Sequence, residues 1–147
     1  MSHTLDIQHF VFGTHARENT INISNREPLF RFLWKKMQDK KCNLYRINGV
    51  SDHIHLVVNL HPSISKADFI QYLKTSSSQW IRMTGIYPNF RGWCNGYFSE
   101  SKDPSSLQRT IDYVKNQLSH HLSESYLSEI QRLYNSNGLK WDDRDMM

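Results

Sequence analysis

Two histidines in one apolar segment are the residues of this sequence best suited to chemistry. His53 and His55 alternate with Ile54 and Leu56, which is the pattern of a β-strand, so both imidazoles project from the same face of the strand. Two imidazoles placed side by side can hold one divalent metal ion between them. The motif is short, however, and two histidines on a half-exposed strand would explain it equally well.

A tyrosine and a glutamine later in the chain offer complementary chemistry. Tyr113 and Gln117 are four residues apart in a segment of helical periodicity, so they lie on one face of a helix. Taken alone, they fit a tyrosine at the edge of the core and a solvent-facing amide. A phenol has a pKa of about 10 and is a weak nucleophile at neutral pH unless its target is made electrophilic.

Combining the two halves gives a specific hypothesis. A divalent ion held by His53, His55 and the carbonyl oxygen of Gln117 would polarise a phosphodiester and orient it for in-line attack by Tyr113. Imidazole and amide ligands are neutral, so the ion keeps its full positive charge toward a phosphate. This ligand set suits Mg²⁺ or Mn²⁺ better than Zn²⁺.

The elements that must position these residues can be predicted from periodicity and capping signals. Strands are predicted over 6–14, 43–48, 50–60 and 96–99, and helices over 27–41, 65–85, 103–122 and 125–135. Asn48-Gly49 predicts a hairpin turn between the second and third strands. Leu107, Ile111, Val114, Leu118 and Leu122 form the apolar stripe of the helix that carries Tyr113. This order predicts an α+β sandwich, in which helices pack on one face of a mostly antiparallel sheet.

Composition limits the classes of protein that this chain can represent. Its 147 residues predict one domain over 1–147, with a flexible tail from about residue 139. The mean hydropathy of −0.65 and the absence of a long apolar run exclude a membrane span, and the N-terminus lacks a signal-peptide layout, so we expect a cytoplasmic protein. Two distant cysteines argue against a disulfide framework. The net charge of +4 favours an anionic partner.

These residues together resemble a known family. Segment 52–56 (DHIHL) resembles the His-hydrophobic-His (HUH) motif, and 113–117 (YVKNQ) resembles the tyrosine helix, of the single-tyrosine HUH transposases. That family comprises insertion sequences of the 200/605 group and the repeat-associated tyrosine transposases. Further similar segments extend the resemblance over nearly the whole chain, in order, at 9–14, 74–78, 93–98 and 125–142.

The resemblance implies a fold, an activity and roles for named residues. It implies a ferredoxin-like homodimer, in which one subunit's tyrosine helix can complete the other's histidine pair. It further implies a transposase that cleaves single-stranded or hairpin DNA, leaving a 5′-phosphotyrosine and a free 3′-hydroxyl. Tyr113 would be the nucleophile, and His53, His55 and Gln117 would be the metal ligands. The candidates for DNA contact or metal support are His120, His121, Lys74, Arg91 and Lys115.

Two other classes of function remain open from the sequence. A domesticated relative could bind hairpin or single-stranded DNA without transposing, although such a binder has no need of all four site residues. A metal-binding ferredoxin-like domain could instead act on RNA or on a small phosphate ester. Asp52 either orients a histidine or terminates the strand. The loop 15–19 is less basic than is usual in the family, so we do not predict a DNA contact there.

Overall fold

A four-stranded antiparallel sheet organises the chain, in a computed structural model that describes residues 3–121, 123–142 and 144. The strands have the spatial order β2-β3-β1-β4, and each neighbouring pair is antiparallel. The strands are β1 (Ile7–Gly13), β2 (Asn43–Val50), β3 (His53–Asn59) and β4 (Phe98–Lys102). The helices are α1 (Glu27–Asp39), α2 (Lys66–Thr84), α3 (Leu107–Lys115), α4 (Gln117–His120) and α5 (Tyr126–Ser136). The predicted α+β, ferredoxin-like class is confirmed.

Helices α1 and α2 cover one face of the sheet and close the main core. Phe10 on β1 and Ile54 and Leu56 on β3 are fully buried there, because alternate residues of a strand face the same side. The amphipathic faces of the two helices pack against them. The buried helical residues in this core include Leu29, Leu33, Met37, Phe69, Ile70, Leu73 and Ile81.

Shorter helices cover the opposite face, in addition to the helical layer that the sequence predicts on one face. Val57 on β3 packs against Val114 on α3, and Val11 on β1 packs in a separate cluster with Tyr126 and Ile130 on α5. The reason is that the histidine-bearing face also carries apolar residues, whose burial is favourable. The histidines are therefore enclosed between the sheet and these helices.

The hairpin between β2 and β3 is present, but the predicted turn is wrong. Val50 pairs with His53, so Ser51 and Asp52 form the turn and Gly49 lies within the strand. Gly49 is required for close packing: a Cβ atom there would lie 2.5 Å from the carbonyl oxygen of His53. The Asn48 side chain donates a hydrogen bond to the carbonyl oxygen of Lys115 at 2.9 Å and thereby ties β2 to the end of α3.

The predicted helix boundaries are confirmed where capping residues set them. Ser65 accepts a hydrogen bond from the Asp68 amide at 3.1 Å at the start of α2, and Asp103 accepts one from the Ser106 amide at 3.0 Å before α3. The predicted single helix over 103–122 is interrupted at Asn116, a poor residue for a helix interior, between α3 and α4. Leu118 is consequently 42% exposed rather than buried.

The remaining predictions concern the end of the Tyr113 helix, the C-terminal tail and the fourth strand. Leu122 of the predicted stripe, and residues 143 and 145–147 of the predicted tail, lie outside the described residues. In the described part of the tail, the Trp141 ring makes an edge contact with the Tyr134 ring, with centroids 5.3 Å apart. The predicted fourth strand, 96–99, is found at Phe98–Lys102, where it pairs with β1. None of the described helices has the length and apolar character needed to cross a membrane.

Candidate active site

Three histidines lie side by side on the face of the sheet covered by α3 and α5. His53 and His55 are on β3, and His9 is on the adjacent strand β1. The centroids of the His53 and His55 rings are 5.1 Å apart, as are those of His9 and His55. The side chains of His53 and His55 are 0% exposed, so neither is a surface decoration of a half-exposed strand.

Helix α3 brings Tyr113 over this histidine row. The Tyr113 ring meets His55 and His9 edge-on, with centroid distances of 5.9 and 6.0 Å. Gln117, the first residue of α4, is fully buried beside the same cluster. All four residues that the sequence predicted for the reaction are therefore brought together, and they lie within a single chain.

A carboxylate that sequence reasoning did not predict lies at the centre of the cluster. Glu129 on α5 is 0% exposed. Its Oε1 atom is 3.1 Å from Nε2 of both His53 and His55, and its Oε2 atom accepts a hydrogen bond from the Tyr113 hydroxyl. Gln117 also donates to Oε2, from Nε2 at 3.1 Å. Glu129 thus connects the tyrosine, the glutamine and the histidine pair.

A second layer of groups holds the rings in place. The carboxylate of Asp52 is 2.7 Å from Nδ1 of His53, so of the two roles considered for Asp52 it has the contact needed to orient a histidine. His55 Nδ1 is 2.8 Å from His9 Nε2, and His9 Nδ1 is 2.9 Å from Oε1 of Glu100 on β4. The Tyr126 ring stacks on His53 with a centroid distance of 4.0 Å. These partners fix both the positions and the orientations of the imidazoles.

Burial and the carboxylates shift the pKa values of the cluster in opposite directions. Burial lowers the pKa of His55 to about 3, so this ring is neutral. Burial also opposes charge on His53, but Asp52 and Glu129 outweigh it and raise the pKa of that ring. For Glu129, the contacts with His121, His53 and His55 outweigh burial and hold the pKa of the carboxyl well below its usual range.

Tyr113 faces an arginine and a cavity on its outer side. Burial and the hydrogen bond to Glu129 raise the pKa of the phenol above its usual value, while Arg132, whose Nη2 donates to the hydroxyl oxygen at 2.8 Å, opposes that increase. A cavity of about 250 Å³ opens beside the ring. It is lined by His9, Glu100, Lys102, Ser106, Arg109, Thr110, Tyr113, Arg132, Leu133 and Ser136.

The structure separates the two remaining predicted histidines. His121 Nε2 lies 2.9 Å from both the Gln117 amide oxygen and Oε1 of Glu129, so it belongs to the central cluster. His120 lies at the rim, where its Nε2 is 2.6 Å from Oε1 of Glu124 and 3.4 Å from Oε2 of Glu129.

The three predicted basic residues are engaged elsewhere. Lys74 is partly buried and donates to the carbonyl oxygen of Cys94 at 2.9 Å, so it secures the segment before β4. Arg91 makes a two-pronged ion pair with Glu18 at 2.9 and 3.0 Å. Lys115, the last residue of α3, has an exposed side chain. The structure does not bring these three residues into the central cluster.

Two of the residues missed by sequence reasoning carried detectable signals. Tyr126, Ile130 and Leu133 make a buried stripe on α5, and Glu129 falls within that stripe. A carboxylate on an apolar helix face is seldom buried without a partner. His9 occupies the same strand face as Val11, which faces His55 across the β1–β3 ladder. Glu100 and Arg132 carried no comparable local signal.

The cluster contains suitable ligands for a divalent metal ion. Ligand atoms of His53, His55, His121 and Glu129 lie within 4.8 Å of one another, and a second group at the rim comprises His120, Glu124 and Glu129. Imidazole nitrogen and carboxylate oxygen together are common ligands for first-row divalent ions. The central group fits such an ion better, because it is buried and its rings have fixed outer partners.

Comparison with known proteins shows similarity to transposases. A family model described as "Transposase IS200 like" matches residues 3–117. The transposase for insertion sequence element IS200 from Salmonella typhimurium (strain LT2) is 29% identical over 117 residues, which cover 75% of this chain and 75% of that transposase. The corresponding transposase from Salmonella typhi gives the same values.

Two solved structures are similar in fold. A Deinococcus radiodurans R1 protein, provisionally described as a transposase, has a TM-score of 0.60 at 19% identity and covers 80% of this chain and 95% of its own. A REP-associated tyrosine transposase bound to a REP hairpin has a TM-score of 0.61 at 11% identity and covers 82% of this chain and 73% of its own. At these identities, the structural likeness concerns the fold alone.

Proposed function

This chain belongs to the family of IS200-like transposases, and from that membership we propose that it cleaves and rejoins single-stranded or hairpin DNA with Tyr113 as the nucleophile. The first step would leave a 5′-phosphotyrosine and a free 3′-hydroxyl. The proposal includes a divalent ion, Mg²⁺ or Mn²⁺, held by His53 and His55. Gln117 remains a candidate for a further ligand. We also propose a cytoplasmic homodimer as the working form.

A single observation carries this proposal. The Glu129 carboxylate contacts the Tyr113 hydroxyl through Oε2 and the Nε2 atoms of His53 and His55 through Oε1. The proposed nucleophile and the proposed metal ligands are therefore separated by one carboxylate group. A phosphate bound to an ion at the histidine pair would therefore lie within reach of the Tyr113 oxygen, as metal-assisted attack by a tyrosine requires.

The proposed step balances without a nucleotide cofactor. The Tyr113 oxygen forms a bond to phosphorus while the bond from phosphorus to the 3′ oxygen breaks. The phenol loses a proton and the departing oxygen gains one. Arg132, which already donates a hydrogen bond to the phenol oxygen, would stabilise negative charge there during attack and during rejoining.

The chain's own residues have distinct parts in this step. A divalent ion bound at the histidine cluster would polarise the scissile phosphate and offset its negative charge. His53 and His55 would hold that ion, and their outer partners Asp52 and His9 would keep Nε2 of each ring directed toward the ion. Helix α3 would hold Tyr113 on the side of the cluster that opens to the cavity, where a DNA strand can enter.

The cavity beside Tyr113 has a lining whose charge suits part of a DNA strand. Lys102, Arg109 and Arg132 contribute cationic groups to its lining, and Glu100 contributes an acidic one. Cationic side chains next to an aromatic ring fit a nucleotide, because they can contact the phosphate while the base stacks. The solved relative bound to a REP hairpin supports the choice of hairpin DNA as the ligand to test.

A covalent-adduct assay tests the proposed function directly. The purified chain is mixed with labelled single-stranded and hairpin DNA in Mg²⁺ or Mn²⁺, and adducts are resolved on a denaturing gel. We expect an adduct with the native chain and none with Tyr113→Phe, which removes only the hydroxyl. Tyr45→Phe, a substitution of a tyrosine on β2, is the matched control and should retain the adduct. Hairpin binding without any adduct would instead favour the non-transposing DNA-binding relative.

A further inference from the structure

We propose that Glu129 is the acidic ligand of the metal ion, so that α5 supplies part of the metal centre together with β3. The inference deepens the proposed function and rests on it. Helix α5 (Tyr126–Ser136) lies beyond residues 3–117, the part of the chain that the family model matches. Membership of the family therefore does not assign this carboxylate a role, and its role follows instead from the geometry of the chain itself.

The position of the carboxylate suits a shared ion. Glu129 Oε1 is 3.1 Å from Nε2 of His53 and 3.1 Å from Nε2 of His55. Two ligand atoms that each lie about 2.1 Å from an ion and at right angles to one another are about 3.0 Å apart. The observed separations are thus those of neighbouring ligands around one ion.

The outer partner of His55 determines which nitrogen of that ring is free. Glu100 can only accept a hydrogen bond, so His9 donates to it from Nδ1 at 2.9 Å. Nε2 of His9 is then the acceptor for Nδ1 of His55, at 2.8 Å. With Nδ1 as the donor, His55 has its lone pair on Nε2, which faces Glu129.

The same reasoning applies to His53. Its Nδ1 lies 2.7 Å from the carboxylate of Asp52 and donates to it, so Nε2 is the ring nitrogen left for a metal ion. Nε2 of each ring and one carboxylate oxygen then converge on one buried point. A divalent ion at that point would bind all three atoms at once.

The remaining neighbours either orient the carboxylate or offer a further ligand, as His121 does with Nε2 at 2.9 Å from Oε1. Gln117 donates from Nε2 to Oε2 of Glu129 at 3.1 Å, and its amide oxygen lies 2.9 Å from Nε2 of His121. These contacts orient the carboxylate so that Oε1 faces the histidine pair. With two imidazoles and a carboxylate, the centre would favour Mn²⁺ over Mg²⁺, which prefers oxygen ligands throughout.

Mn²⁺ binding in the absence of DNA tests the proposal. The full chain is freed of metal with a chelator and titrated with Mn²⁺, and free Mn²⁺ is followed by electron paramagnetic resonance. We expect Glu129→Gln, which keeps the shape and removes the charge, to weaken Mn²⁺ binding by at least about tenfold. Glu124→Gln, which removes a rim carboxylate, is the matched control and should change the affinity by less than about threefold.

Two further measurements separate ligation from a structural role and from inhibition. Glu129→Asp keeps the charge but withdraws the carboxylate by one methylene, so it should also weaken Mn²⁺ binding. Its melting temperature in the presence of chelator should equal that of the native chain. Unchanged or tighter Mn²⁺ binding by Glu129→Gln would overturn the proposal. Glu129 would then occupy the metal site without binding the ion. Because no DNA is present, this result is independent of whether Tyr113 forms an adduct.

Discussion

Replacing Glu100 with glutamine tests whether a residue two hydrogen bonds from His55 controls the proposed metal centre. Glu100 accepts a hydrogen bond from His9, and His9 accepts one from His55, so the Glu100 carboxylate sets the direction of both hydrogen bonds. Glutamine has nearly the same shape but carries no charge, and its amide can present a donor as readily as an acceptor. The preference for a lone pair on His55 Nε2 should therefore weaken. Outer partners of metal ligands typically contribute about 10–100-fold to affinity.

The substitution also has a predictable cost in stability. Despite burial, hydrogen bonds from His9, Lys102 and Asn137 lower the pKa of Glu100 from 4.5 to about 2. A shift of that size corresponds to at most about 3 kcal/mol of folding free energy at neutral pH. Glutamine keeps part of the hydrogen bonding, so we expect a loss of roughly 1–2 kcal/mol in the free energy of unfolding.

The sign of the pH dependence follows from the lowered pKa. A folded-state pKa below the unfolded value means that the stabilisation is complete above about pH 4.5 and is lost as the pH falls toward about 2. The native chain and Glu100→Gln should therefore differ most near neutral pH. Their unfolding free energies should converge as the pH is lowered through this range, which urea titrations in chelator at several pH values can measure.

Mn²⁺ titration at pH 7 decides the functional part of this prediction. We expect Glu100→Gln to weaken Mn²⁺ binding about tenfold, the lower end of the range for outer partners, because glutamine can still accept from His9. Asn137→Ala is the control: it removes a donor to Oε2 of Glu100 at 2.9 Å and leaves the contact with His9 in place. A loss of stability with unchanged Mn²⁺ affinity would refute this prediction. The hydrogen bonds from Glu100 through His9 to His55 would then be purely structural.

Three further predictions concern assembly, packing and DNA binding. Because Tyr113 and His53 meet within one chain, mixed dimers of Tyr113→Phe and His53→Ala should form no adduct, and recovered activity in them would show that sites are shared between subunits. Gly49→Ala should lower the unfolding free energy by roughly 1–3 kcal/mol in urea titrations, because its Cβ would meet the His53 carbonyl oxygen at 2.5 Å; an unaltered midpoint would contradict this. Arg109→Ala should weaken the binding of single-stranded DNA, measured by fluorescence anisotropy, and should reduce the slope of log affinity against log salt concentration by about 0.7. The control Arg82→Ala, on α2, should bind like the native chain. Equal losses of affinity in the two variants would exclude a specific role for the cavity.

Local rules were sufficient wherever neighbouring residues determine the structure. Alternation placed His53 and His55 on one face of β3, and a serine cap and a left-handed glycine bound α2 between Ser65 and Gly85. The order of elements predicted an α+β sandwich with a mostly antiparallel sheet, because short connections between amphipathic elements leave few alternatives. The positions of the proposed ligands on β3 could therefore be predicted with the fold.

Local rules failed where a distant contact outweighs a local preference. Asn48-Gly49 has the composition of a turn, but the approach of the His53 backbone keeps Gly49 in the strand. Lys74, a candidate for DNA contact or metal support, donates from its ammonium group to backbone carbonyl oxygens of the segment before β4, and its neighbours in the sequence do not predict these partners. In both cases the deciding partner lies on another element, so the signal was absent from the neighbouring sequence.

The sequence alone identifies the available chemical groups: two histidines on one strand face, and a tyrosine and a glutamine one helical turn apart. The contacts that join these groups depend on tertiary packing. Glu129 lies 76 residues from His53 and 74 from His55, yet its carboxylate contacts both. Periodicity reports which face of an element is buried, but not which side chains of separate elements meet there. That meeting is set by the packing of α5 against β1 and β4, and it makes a carboxylate the centre of the site.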